Sequence, residues 1–82
     1  MTDRKYDRRY KIGEVAKLIA EPQHVIRFWD AEFRIRPLRS KSGQRVFSQA
    51  QVDKLYRIRE LLREDLYTIE GARRVLARES AA

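Results

Sequence analysis

The sequence predicts a mainly α fold in one small domain, its elements ordered helix-helix-strand-strand-helix-helix. Three observations predict it. Apolar residues recur at helical spacing in four separate stretches. Between the second and third stretches, Leu38 and the pair Val46-Phe47 flank a polar tetrad, Ser40-Lys41-Ser42-Gly43, which is the pattern of a short hairpin. The chain has 82 residues and no cysteine, so it builds one modest core without disulfides or thiolate metal sites.

Taken in order, residues 1–9 are polar and highly charged, and read as a flexible basic arm. Residues 10–20 place Ile12, Val15, Ala16, Leu18 and Ile19 at helical spacing, a short amphipathic helix. Glu21-Pro22 interrupts it, because proline disfavours helical geometry in the residue before it yet suits a helix start. A second helix over residues 23–33 turns Ile26, Trp29 and Phe33 to the core. Pro37 is expected to stop it, and a two-stranded ribbon follows over residues 34–47. Ser48 and Gln51 fit a capping box, with Ser at the cap and Gln three residues on. The third helix runs to about Glu64 behind Val52, Leu55, Ile58 and Leu62. Thr68 caps a last helix to residue 78, with Ile69, Ala72, Val75 and Leu76 inward and residues 79–82 as a tail. The expected core also takes Leu18, Leu38 and Phe47.

Charge narrows the function. The chain carries 19 Lys plus Arg against 12 Asp plus Glu, a net +7. Residues 34–45 hold five of the basic side chains (Arg34, Arg36, Arg39, Lys41, Arg45) and no acid. A cluster of one sign repels itself and calls for counterions or an anionic partner. In residues 47–67 the signs balance, as on an ordinary solvated face. The single His excludes a multi-His metal site, and no apolar run reaches membrane-spanning length. No nucleophile–base pair and no Gly-rich phosphate loop is present, so the sequence does not read as an enzyme or as a cofactor binder.

Two short helices joined by a tight turn, the second with long polar side chains, form a helix-turn-helix. A basic-tipped ribbon directly after it is a wing, so the expected fold is a winged helix-turn-helix. The candidate DNA-facing side chains are Gln23, His24 and Arg27 on the second helix and Arg39, Lys41, Gln44 and Arg45 on the wing. Gln23 suits bidentate reading of an adenine edge. His24 suits a base or phosphate contact, or equally an exposed helix start. Arg27 suits a DNA contact or a surface pair with Asp30. Asp30 and Glu32 would be repelled by phosphate, which puts them at the far end of the helix or on its protein side. Trp29 reads as core rather than as a stacking platform. Lys5, Arg8 and Arg9 would add nonspecific attraction.

Four segments resemble the DNA-binding domain of the MerR family of bacterial transcription regulators: Tyr10-Lys-Ile-Gly-Glu-Val-Ala-Lys-Leu-Ile, Pro22-Gln-His-Val-Ile-Arg-Phe-Trp-Asp, Lys41-Ser-Gly-Gln-Arg-Val-Phe-Ser and Tyr67-Thr-Ile-Glu-Gly-Ala-Arg. The resemblance implies that Arg27 and Phe28, at the Arg-Tyr positions of the family's second-helix motif, face DNA backbone. Phe28 lacks the hydroxyl for a phosphate hydrogen bond and keeps stacking against sugar. Trp29 matches the motif's second aromatic, a core position. Arg45 matches a wing arginine that contacts backbone, and Phe47 replaces a tyrosine in the core. Ala20-Glu21 stands where Gly-Val is usual, which implies a different turn geometry. Family members continue into a long dimerisation helix and an effector-sensing domain. After Leu76 only Ala-Arg-Glu-Ser-Ala-Ala remains here, which reads as an excised domain or a minimal member and assigns no effector.

The expected partner is therefore double-stranded DNA, with no membrane, in the bacterial cytoplasm at the nucleoid. The helix over residues 22–33 enters the major groove and the wing follows the flanking backbone. Neutralising about 4–6 phosphates would give a log–log salt slope of roughly −4 to −5. One module buries about 600–1,000 Å², so useful specificity calls for two copies on paired half-sites, a homodimer in effect. Two rival readings are an excisionase-like architectural protein, marked by binding to adjacent sites, and a protein-interaction module, marked by an exposed apolar face on the last helix.

Overall fold

The computed structural model describes residues 8–81. The element order is β1 (Arg9–Lys11), α1 (Ile12–Ile19), α2 (Gln23–Phe33), β2 (Leu38–Arg39), β3 (Arg45–Ser48), α3 (Gln49–Arg59), a π-helical turn (Glu60–Glu64) and α4 (Ile69–Ala81). This is the mainly α winged helix-turn-helix that the sequence predicts, with one strand more than expected. The arm expected over residues 1–9 lies, for residues 1–7, outside the described residues. Arg9 is not part of an arm: β1 pairs antiparallel with β3, which makes the sheet three-stranded in the order β1-β3-β2. The first helix accordingly starts at Ile12, not Tyr10. Three residues are too few to show an alternating pattern in sequence. The strand exists because Tyr10 lies opposite Phe47 and is buried with it, while the Tyr10 hydroxyl donates to Gln49 Oε1 at 2.6 Å.

α1 buries Val15 and Ile19, one turn apart. Leu18, expected inside, is 56% exposed. Val15 pairs equally well with i+3 or i+4 along a helix, and the packing of α1 on α2 and α3 selects i+4. The helix stops where Ala20 takes a left-handed conformation (φ 58°, ψ 47°). Glu21 N–H then reaches back to the Ala16 carbonyl at 3.0 Å, which satisfies an otherwise orphaned helix-end acceptor. Pro22, at φ −62°, precedes α2 and accepts from the Val25 and Ile26 N–H groups through its carbonyl.

α2 buries Ile26, Trp29 and Phe33, as its spacing predicts. Its end differs from expectation. The stop is Arg34 in the left-handed region (φ 52°), three residues before Pro37. That reversal sends Ile35 back into the core at 6% exposure, its N–H donating to the Asp30 carbonyl at 3.0 Å. Leu38, expected inside, is 61% exposed. The register explains it: Leu38 pairs with Val46, and Phe47 next along β3 is fully buried. Adjacent residues point to opposite faces, so Leu38 and Val46 share the outer one.

The capping box is formed as predicted. Gln51 N–H donates to Ser48 Oγ at 3.2 Å, and Ser48 N–H donates to Gln51 Oε1 at 3.0 Å. Val52, Leu55 and Ile58 of α3 are buried. In the π-helical turn Leu61 is fully enclosed, while Leu62, the expected core residue, is only partly buried. α4 packs on this turn, so a side chain off the α3 stripe finds a second wall there. Thr68 Oγ1 accepts from Gly71 N–H at 3.0 Å, the expected cap. Ala72 is buried, and Ile69, Val75 and Leu76 pack against the core. Ion pairs hold the periphery. Glu21 in the helix-turn-helix turn accepts from Arg63 at 3.0 and 3.1 Å. Arg73 of α4 reaches Glu32 at 2.6 Å, and Arg57 reaches Glu79 at 2.7 Å.

Candidate nucleic-acid interface

A groove of about 680 Å³ opens between the helix-turn-helix and the wing. Its walls come from β1, the start of α1, the outer face of α2 and both wing strands. Lys11, Lys17, Arg27, Arg39 and Arg45 line it, with Gln23, Gln44 and one carboxylate, Glu14. Five cations in one concavity concentrate positive potential and favour a polyanion.

Each side chain has a local reason to be there. Trp29 and Ile26 are buried, so the opposite face of α2 carries Gln23 and Arg27 outward. Gln23 lies against the start of α1, where a methyl added at Gly13 would make an ordinary contact 3.5 Å from its Nε2. Arg27 has no hydrogen-bond or ion-pair partner among the described residues. The surface pair with Asp30 is absent, because Asp30 Oδ2 instead accepts from Arg45 Nε at 3.0 Å. Asp30 and Glu32 are thus both engaged with the protein itself, as their repulsion by phosphate predicts.

The wing turn is closed by Ser40 N–H to the Gln44 carbonyl at 2.8 Å and Gly43 N–H to the Ser40 carbonyl at 2.9 Å. Gly43 sits at φ 86°, where a side chain would be strained. Arg39 and Arg45 are cross-strand partners, a like-charged pair that repels. Arg45 is held by Asp30, and Arg39 donates to the Gly43 carbonyl at 2.9 Å. Glu14 accepts from the Lys11 N–H at 3.0 Å and pairs with Arg8 at 3.1 Å. The Lys11 backbone bond, helped by Arg8, holds its carboxyl below the usual carboxylate range.

The groove therefore gathers Gln23, Arg27, Arg39, Gln44 and Arg45 from the predicted set. His24, Phe28 and Lys41 are exposed but do not line it: the first two lie elsewhere on α2, and Lys41 stands at the wing tip. Phe28 is 53% exposed, a large aromatic left open beside the groove-lining Arg27. Sequence reasoning missed Lys11 and Lys17. Segment charge hides Lys17, which stands between Glu14 and Glu21, while Lys11 falls inside the helix expected from residue 10 rather than on a strand. The available clue was position: Lys17 lies off the buried stripe of α1, and Lys11 flanks the inward Tyr10.

A helix-turn-helix followed by a basic hairpin, with a cationic concave face between them, defines the class as a winged helix-turn-helix DNA-binding domain. The sequence pattern described as MerR HTH family regulatory protein matches residues 10–79. The chain belongs to that family and is a DNA-binding regulatory domain. No curated protein matches it. Among the described residues no helix is long and apolar enough to cross a membrane.

Proposed function

We propose that the chain binds duplex DNA with α2 in the major groove and the wing along the flanking backbone. The observation that carries this is the groove itself, where five cations from five elements meet, among them Arg27, which has no partner among the described residues. Gln23 and Arg27 approach base edges and the phosphates bordering them. Arg39, Lys41 and Arg45 engage backbone, Gln44 and His24 sit at the margins, and Phe28 stacks on sugar. Lys11 and Lys17 add phosphate contacts from β1 and α1. Backbone contacts set affinity and register, and the few α2 side chains set sequence preference. One copy makes a small interface, so the functional unit is a pair of copies on a two-fold site, with transcription regulation as the output. The protein-interaction reading lacks its supporting feature: the apolar residues of α4 pack on the core.

The test is NMR shift mapping of the labelled protein with a short duplex at low and then moderate salt. Shifts at residues 23–28 and 39–45 that fade with salt are expected. Arg27→Ala should reduce the log–log salt slope by about one and leave thermal stability nearly unchanged. Shifts absent from both segments would refute the proposal.

A further inference from the structure

An acid beside a DNA-facing groove is a liability by charge alone. Asp30 is such an acid, yet its side chain is 12% exposed, and three bonds tie it to the chain beyond α2, one to the wing strand and two to the segment leaving the helix. Its Oδ2 accepts from Arg45 Nε at 3.0 Å. Its Oδ1 accepts from the Arg36 N–H at 3.1 Å. Its backbone carbonyl accepts from the Ile35 N–H. The side chain thus grips both the point where the chain leaves α2 and the wing strand that returns.

We infer that Asp30 is a positioning residue, which holds the wing at a fixed offset from α2 and aims Arg45 at a phosphate. This rests on the DNA reading above. The chemistry is specific. A guanidinium has five N–H donors in a planar fork. Asp30 takes only the Nε–H, and Arg45 lines the groove, so the terminal NH2 groups are the ones left for an anion. With one donor fixed, the plane of the fork is fixed, and less rotamer entropy is lost when phosphate binds. Asp30 also offsets the repulsion between Arg45 and its cross-strand neighbour Arg39. Without it Arg45 would swing toward solvent, away from the cation it opposes.

Two physical pictures then predict opposite signs. If Asp30 acts only as a negative charge, removing it raises the net charge and tightens DNA binding. If Asp30 positions Arg45, removing it weakens binding although the protein becomes more basic. The experiment measures binding of the full chain to a randomised duplex of about 20 bp by fluorescence anisotropy across a salt series, for the wild type, Asp30→Ala, Arg45→Ala and the double variant. Asp30→Ala is expected to bind about tenfold more weakly, the scale of one charge-assisted hydrogen bond, with a salt slope shallower by about one. In the Arg45→Ala background, Asp30→Ala should cause no further weakening, because there is no guanidinium left to aim. A merely structural role would weaken binding equally in both backgrounds, and that result overturns the inference. Tighter binding by Asp30→Ala than by the wild type overturns it as well. Should Asp30→Ala fail to fold, Asp30→Asn serves in the same cycle: it keeps an acceptor for the Arg36 N–H and loses the charge. A wild type without salt-dependent duplex binding takes down the DNA reading and this inference together, whereas the outcomes above overturn the inference alone.

Discussion

Ala20→Gly should stabilise the protein. Ala20 ends α1 at φ 58° and ψ 47°, a conformation that costs an L-residue about 1–2 kcal/mol. Glycine is free of that cost but gives up about 0.5–1 kcal/mol of extra chain entropy on folding. The Ala20 methyl is exposed, so no packing is lost. The backbone bonds of the turn, Ala20 and Glu21 N–H to the carbonyls of Lys17 and Ala16, are available to glycine too. The balance is a gain of about 0.5–1 kcal/mol, which in a domain this small raises Tm by roughly 2–8 °C. Differential scanning calorimetry measures it, and duplex binding at fixed salt checks that the angle between α1 and α2 is kept. An unchanged or lower Tm would refute the reasoning, because it would mean that the left-handed turn stores no strain that glycine relieves.

Gln51→Ala should cost about 1–2 kcal/mol in a urea titration, the scale of a lost cap. Gln51 does more than cap α3, since its Nε2 also donates to the Ile35 and Arg36 carbonyls at 3.0 and 3.3 Å. Gln51→Glu keeps the acceptor for Ser48 but turns an oxygen toward those carbonyls, so it should be destabilised too, whereas a capping role alone would leave it near wild type. Acid should loosen α4. The Arg57 hydrogen bond holds the Glu79 carboxyl below its ordinary value of 4.5, and Arg57 is correspondingly raised. A carboxylate depressed in the folded state stabilises above its unfolded value, and that contribution disappears as pH falls through the folded one. Tm should therefore drop below about pH 4.5, and Glu79→Gln should start lower at neutral pH and lose less on acidification. Equal pH profiles for the two proteins would show that the pair contributes nothing.

Much of the fold was legible because local chemistry was sufficient. The Ser48–Gln51 box and the Thr68 cap form as read, since each is closed by residues three apart. Ile26, Trp29 and Phe33 are buried because that apolar stripe has a single helical solution. The wing turn follows from a glycine at the one position with φ 86°. The basic cluster of residues 34–45 announced an anionic partner, and five of the eight predicted contact residues meet in one groove.

What the sequence alone determined, then, is periodicity, caps, turn chemistry and the sign of the charge, all properties of neighbours along the chain. Tertiary structure decided the rest, wherever two local solutions were equally good or a partner lay far away in sequence. Ile19 rather than Leu18 faces inward because α1 meets other helices on that side. Leu38 faces outward because its register with Val46 fixes it there. β1 exists only because β3 offers it an edge and Phe47 offers Tyr10 a neighbour. Arg45 pairs with Asp30, 15 residues away, rather than leaving Asp30 to Arg27 on the same helix. Lys11 and Lys17 join the groove only once α1 and β1 are folded against the wing. The physical reason is the same throughout: helix and turn energies are summed over a few adjacent residues, whereas burial and charge pairing depend on which surfaces the finished chain brings within a few ångströms.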